Sequence, residues 1–257
     1  MQLYLPPKPA IIIPQQDILR PFMARVGHNG GPALDEWEER RAQFVINQLG
    51  GWGPWRGTPI LTYGGEITDT ADQTSYDFSV SPGATSNRKL IIITVTQNRA
   101  GATTHSSVSY PSFPFTKVAS VNEAATGSSS SIWALRQTTA IPSSVLTVLF
   151  SATSLACKIS IFTLIGVMSD TPVVSSDNDG SSPATLSLDT KDGGAVIGVA
   201  SSAAGTRVTW SGLIEQDDVD AGTAFGSSAA MASGVAEAAP RVITCTSAVR
   251  GCAAAFR

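Results

Sequence analysis

A chain of 257 residues, 42% hydrophobic and only 14% charged, carries enough apolar material for a core of ordinary size and needs neither metal nor disulfide to fold. Ser, Thr, Ala and Gly fill the gap left by a charged fraction well below the usual about 25%, and that mixture suits short strands and small-residue turns better than helices. A net charge of -3 without any Lys/Arg cluster offers no grip on a phosphate backbone, and no apolar run is long enough to span a bilayer, so neither nucleic acid nor membrane is expected as a partner.

Residues 1–34 hold Pro6, Pro7, Pro9, Pro14, Pro21 and Pro32. Each fixes φ and removes a backbone donor, so the segment is expected to run extended, as an arm. Its apolar residues are too numerous for a solvated linker and need shelter. With little local structure to pack on, Ile11, Ile12, Ile13, Ile18, Leu19 and Phe22 are expected to anchor the chain on a neighbouring subunit. The start, Met1-Gln-Leu-Tyr-Leu-Pro-Pro-Lys-Pro, lacks the parts of a secretory leader.

The next stretch predicts a helix over about 34–49. Asp35, Glu36, Glu38 and Glu39 lie where the helix dipole favours negative charge, Trp37, Phe44, Val45 and Leu49 form an apolar stripe, and Gly50-Gly51 ends it. Trp37 and Phe44 join the assembly-anchor set. Trp52 and Trp55, in a glycine-rich turn, are expected to seat the helix on the domain after it. An anchoring region over 1–57 and a β-domain over 58–257 result.

From residue 58 the texture becomes short apolar or alternating runs broken by Gly, Ser, Asn, Asp and Pro. Ser75–Val80 alternates, with Tyr76, Phe78 and Val80 on one face. Lys89–Gln97 is apolar on both faces, as a central strand covered by the second sheet on one side and by a loop or neighbour on the other would be. Further strands are expected near 107–110, 114–120, 131–136, 144–151, 157–168, 184–190, 194–201, 206–212, 241–247 and 251–257. Asp192-Gly193 between two alternating runs predicts a hairpin. The sum is an all-β fold, a two-sheet jelly-roll or lectin-like sandwich. A division in the polar stretch 170–184 is conceivable, but Phe256 reads as part of a closing strand, which favours one domain.

Candidate chemistry is sparse. Cys157, Cys245 and Cys252 show no metal or redox spacing and read as small buried hydrophobes, a Cys245–Cys252 bridge being the alternative. His28, in Gly27-His-Asn-Gly-Gly-Pro, reads as a turn before the helix. His105 reads as an exposed loop histidine without the elbow a nucleophilic serine needs. Asp177, Asn178 and Asp179, and then Asp217, Asp218 and Asp220, read as solvated turns, with calcium as the alternative. Glu66, Asp77, Asp189 and Glu215 are the nearest to catalytic carboxylates, and none sits in a recognisable catalytic run. No catalytic residue, cofactor or metal is therefore assigned. Tyr110, Phe113 and Phe115, interleaved with prolines, are the candidates for ligand contact, although aromatics in that setting more often pack under a loop.

Four segments, Asn87–Thr96, Ser130–Leu135, Asp192–Ala200 and Ala253–Arg257, together resemble β-sandwich virion proteins of tailed phages over about 80–257. Gly27-His-Asn-Gly-Gly-Pro-Ala-Leu-Asp resembles a turn of short phage-associated proteins. The resemblance implies a non-enzymatic surface role, as capsid decoration or as part of a tail or fibre. Other capsid or tail subunits and further copies of the chain would be its partners, and the virion its location. A virion released by lysis also reconciles an extracellular-looking body with a start that carries no leader. A lectin-like module that binds host glycans is the alternative, and a sandwich glycosidase or lyase a distant third.

Overall fold

The computed structural model describes residues 59–257 except 87–88, 99–102, 123–127, 168–170, 178–181, 204–205, 221–224 and 248–249. The expected arm, the helix at 34–49 and all eight assembly anchors (Ile11, Ile12, Ile13, Ile18, Leu19, Phe22, Trp37 and Phe44) lie outside the described residues, as do His28, Trp52 and Trp55. The chain divides into two compact units, Met1–Arg56 and Gly57–Arg257, and all the described residues belong to the second.

The described residues are all-β and contain no helix. The first nine strands are β1 (Ile60–Asp69), β2 (Gln73–Ser79), β3 (Lys89–Asn98), β4 (His105–Tyr110), the short β5 (Phe113–Pro114), β6 (Thr116–Asn122), β7 (Ser128–Arg136), β8 (Val145–Ser154) and β9 (Ala156–Ile165). Eight more complete the set: β10 (Val173–Asp177), β11 (Ala184–Thr190), β12 (Gly194–Ala203), β13 (Thr209–Ser211), β14 (Ile214–Asp220), β15 (Phe225–Val235), β16 (Ala238–Thr246) and β17 (Arg250–Phe256).

They form four antiparallel sheets instead of the expected two. The strand order is β2-β8-β4-β5 in a first outer sheet, β1-β9-β3-β7-β6 in a first inner sheet, β10-β17-β12-β15-β14 in a second inner sheet and β11-β16-β13 in a second outer sheet. Three apolar cores separate them, so the sheets stack in that order. Tyr76, Phe78, Tyr110, Val148 and Phe150 meet Ile91, Ile93, Val95, Trp133 and Ile159 between the first outer and first inner sheets. Leu90, Ile92, Ile132, Phe162 and Leu164 meet Ala195, Ile197, Val199, Ala229, Ala254 and Phe256 between the two inner sheets. Val196, Ala200, Ala253 and Ala255 meet Leu186, Leu188, Trp210 and Ile243 between the second inner and second outer sheets. The expectation that Lys89–Gln97 is a central strand buried on both faces holds, but a further sheet, and not a loop or neighbour, covers the second face of β3. Strands of the outer sheets alternate instead, as in β11, where Leu186 and Leu188 are buried and Thr185 and Ser187 face out.

The two halves of the chain follow the same path. In each, the first strand pairs with the last, the last with the third and the third with the next-to-next-to-last, while the second pairs with the next-to-last and that with the fourth. Thus β1, β2, β3, β4, β6, β7, β8 and β9 correspond in order to β10 through β17, with β5 an addition. A sandwich therefore ends at β9 and a second begins at β10, inside the polar stretch, yet their inner faces share one core and a single compact unit results.

One local expectation needs correction. Asp192-Gly193 does form a tight turn, with Gly193 at φ 72 and the Gly194 amide donating to Lys191 O at 2.9 Å. It is not a hairpin, because β11 pairs with β16 in the outer sheet while β12 pairs with β15 and β17 in the inner one. The reading of the cysteines as small buried hydrophobes holds and the alternative bridge is not formed, since Cys245 and Cys252 lie on different layers, Cys245 in the core under the outer sheet and Cys252 in the core between the inner sheets.

Candidate functional site

The interface between the inner sheets changes character along its length. On β3 the residues facing it run Leu90, Ile92, Thr94, Thr96; on β9, Leu164, Phe162, Ser160, Lys158; on β7, Ala134, Ile132, Ser130, Ser128. The opposite sheet matches this order, with Ile197, Val199, Ser201 on β12, Ala254, Cys252, Arg250 on β17 and Met231, Ala229, Ser227 on β15. One end of the shared core is thus apolar and the other is a buried polar seam. Thr96 Oγ1 and Ser227 Oγ lie 2.7 Å apart across it, and Ser130 Oγ donates to Ser201 Oγ at 3.0 Å.

Lys158 is the seam's centre. Its ammonium donates to Asp217 Oδ1 and, at 3.0 Å, to Ser227 O, and Glu66 Oε2 lies 3.3 Å away. The Lys158 and Asp217 side chains are 1% and 3% exposed, against 36% for Glu66. Asp217 is further held by the Ala229 amide, donating to Oδ1 at 2.9 Å, and by the Tyr63 hydroxyl, donating to Oδ2 at 2.9 Å. Burial, then the Asp217 charge and the hydrogen bond to it, push the Tyr63 hydroxyl far above its ordinary value. Burial and the neighbouring Asp218 and Asp217 carboxylates also raise Glu215.

Two irregularities aim these groups. Tyr63 and Glu66 are three apart and would point to opposite faces of a regular strand, but β1 shifts register between Tyr63 and Gly65, so Tyr63 pairs with Phe162 and Glu66 with Ser160, both facing the seam. Gly65, at φ 114, accommodates that bulge. A matching shift in β14 between Glu215 and Asp217 sets Asp217 opposite Ala229. Edge strands thus deliver both acids to a lysine that lies inside a sheet.

Asp217 is therefore not the solvated turn residue that the sequence suggests. It lies in β14, and its oxygens are occupied by Lys158, Tyr63 and Ala229. Asp218 lies 3.7 Å from Arg207 Nε. Asn178 and Asp179 and the side chains of Asp177 and Asp220 lie outside the described residues. Among the described residues no three His, Cys, Asp or Glu side chains converge as metal ligands would.

His105 is also a correction. It opens β4, is 1% exposed, and shares hydrogen bonds with Ser129 Oγ at 2.8 Å through Nε2 and with Ser131 Oγ through Nδ1. Its ring sits edge-on to Phe150, and burial, with the Lys117 charge, lowers its pKa to about 3. A Ser-His pair exists, but it is sealed beneath the first outer sheet, and among the described residues no carboxylate orients it.

Of the proposed ligand contacts, Tyr110 is wholly buried with its hydroxyl donating to Val80 O at 3.1 Å, Phe115 is buried beside it, and Phe113 packs half-buried on the same core. The prolines turn the chain at the sheet edge while the aromatics point inward, which leaves Tyr110 and Phe115 no face for a glycan. Asp77 accepts from Thr147 at 2.6 Å on the outer surface, and Asp189 is exposed on β11.

Sequence reasoning missed Lys158 and Tyr63. The signal for Lys158 was a lone charge inside Ala156-Cys-Lys-Ile-Ser-Ile-Phe, an apolar strand pattern in which a lysine must find a partner. No family model, curated protein or solved structure matches the chain.

Proposed function

We propose that this chain is a structural protein of a phage particle, two jelly rolls in tandem held to other subunits through the region before Ile60. The observation that carries this reading is the strand path. First with last, last with third, second with next-to-last and that with fourth is the order in which a double-sheet jelly roll closes, and such rolls recur in viral capsid and lectin domains. In each half the strand between the fourth and the sixth crosses to the inner sheet, β6 in the first and β14 in the second, which widens the faces that pack on one another.

The polar groups support a scaffold over a catalyst. Several of the buried ones pair across sheets, as Thr96 does with Ser227 and Ser130 with Ser201, and the two most enzyme-like constellations, His105 with Ser129 and Lys158 with Asp217, are sealed from substrate. Burial of Tyr110 and Phe115 weakens the glycan-binding alternative. Copies of this chain and other capsid or tail subunits are the expected partners, and the apolar set Ile11, Ile12, Ile13, Ile18, Leu19, Phe22, Trp37 and Phe44 the expected contact.

The test is immunogold labelling of particles purified from cells that carry the gene, using antibody against residues 59–257. Label at regular positions on the particle surface is expected, and with residues 1–34 deleted the label is lost from particles while the protein stays folded. Particles without label, or labelled equally by the deletion variant, overturn the reading.

A further inference from the structure

We propose that Lys158 and Asp217 condense into a side-chain amide that covalently staples the first sandwich to the second. This goes beyond the particle role and does not depend on it.

Three conditions meet at this pair. The first is proximity without solvent: Nζ contacts Oδ1, and the two side chains are 1% and 3% exposed. Held reactants in a dry site are equivalent to very high concentrations, and exclusion of water removes the hydrolysis that makes amide formation unfavourable in solution. The second is a fixed electrophile, since the Ala229 amide and the Tyr63 hydroxyl each donate to an oxygen of Asp217 at 2.9 Å, where negative charge would gather as the carboxyl carbon becomes tetrahedral. The third is a proton carrier, Glu66, 3.3 Å from Nζ and open enough to exchange protons with solvent.

The step balances without a cofactor. Glu66 takes one proton from the Lys158 ammonium, and the freed lone pair attacks Cγ of Asp217. The Nζ–Cγ bond forms, the Cγ–Oδ2 bond breaks, and Oδ2 departs as water with the two protons Nζ has lost, one relayed back from Glu66 and the Tyr63 hydroxyl aiding its exit. An ammonium and a carboxylate become a neutral amide and one water. The product also removes two buried charges, whose desolvation is otherwise offset by their attraction and by the hydrogen bonds from Ala229 and Tyr63 and to Ser227.

Other described lysines are differently placed. Lys89 donates to Pro82 O and Ala84 O, Lys117 to His105 O, and Lys191 meets Glu237 in the open, with side chains 49% and 59% exposed. Among the described residues only Lys158 combines burial, a buried carboxylate and a second acid, and it does so on β9 against β14, strands of different sandwiches. An amide there resists separation of the sandwiches under load, which hydrogen bonds such as Thr96–Ser227 do not.

The test is the intact mass of the full-length protein under denaturing conditions, followed by peptide mapping. The wild type is expected to be one water lighter than Asp217→Ala and Lys158→Arg after allowing for the substitutions, with the Lys158 and Asp217 peptides recovered joined. Glu66→Gln keeps the Lys158–Asp217 pair and therefore the fold, and it is expected to slow joining about a hundredfold or more. A wild type at its full sequence mass, with the two peptides recovered separately, overturns the proposal.

Discussion

Thr96 and Ser227, 131 positions apart in the chain, place their hydroxyl oxygens 2.7 Å apart across the plane where the two sandwiches meet. Each is about 1% exposed, so neither hydroxyl has water as an alternative partner. Removing one leaves the other buried and under-satisfied, at about 1–3 kcal/mol, whereas removing both leaves two apolar groups facing each other. Thr96→Val and Ser227→Ala are each expected to destabilise the protein by about that amount, and the double variant by less than the sum. Denaturant titration of the four proteins reads the coupling, and strict additivity would mean that the hydroxyls do not interact.

Gly198 sits under Trp210. A Cβ at Gly198 would lie 2.7 Å from the indole, whose Nε1 is fixed by donating to Ser228 Oγ at 2.9 Å, so the ring cannot step aside without losing that bond. Gly198→Ala is expected to cost about 1–3 kcal/mol as overpacking. Gly193, with open space around its Cβ position and φ 72, serves as a control: Gly193→Asn is expected to cost far less, because Asn tolerates the left-handed conformation. Thermal melts of the two variants distinguish packing from backbone strain.

These residues also show what could be read before the fold was seen. The all-β class, the doubly covered β3 and the alternation of β2 and β11 were legible, because period-two hydrophobicity is written locally. The strand β15 was not: Gly226-Ser-Ser-Ala-Ala-Met-Ala-Ser-Gly carries no β-branched residue, and only the close approach of its neighbours calls for such small side chains. A Cβ on Gly226 would meet Thr206 O at 2.1 Å. The number of sheets was equally hidden, since whether an apolar face meets an outer or an inner sheet depends on partners far along the chain. The seam was hidden for a third reason. Asp217 reaches it through a bulge, and a shift of one residue in register is invisible in composition.

Cys157, Cys245 and Cys252 are buried and unbridged. Burial raises the thiol pKa of Cys157 and Cys252, so little thiolate forms at neutral pH, and a reagent in solution has no path to the sulfur. The native protein is expected to be inert to a chromogenic thiol reagent and to release three equivalents on denaturation, with or without prior reduction. Fewer than three equivalents before reduction would reveal a bridge.

His105 sets the acid side of the stability profile. Its pKa falls from 6.5 to about 3 on folding because burial disfavours the imidazolium and the Lys117 charge opposes it. The unfolded chain therefore binds a proton that the folded chain refuses. The contribution of a neutral His105 is complete above pH 6.5 and declines as pH falls from there towards 3, at about 1.4 kcal/mol for each unit between the two values. Carboxylates titrate in the lower part of that window, so the comparison that isolates His105 is with His105→Gln, which offers a donor and an acceptor to Ser129 and Ser131 and never charges. The wild type is expected to lose more stability than His105→Gln between about pH 6.5 and 4.5, where the carboxylates change least, even if the variant is the less stable at neutral pH. Urea unfolding at half-unit pH intervals gives both slopes, and parallel slopes across that interval would mean that His105 takes up its proton in the folded protein.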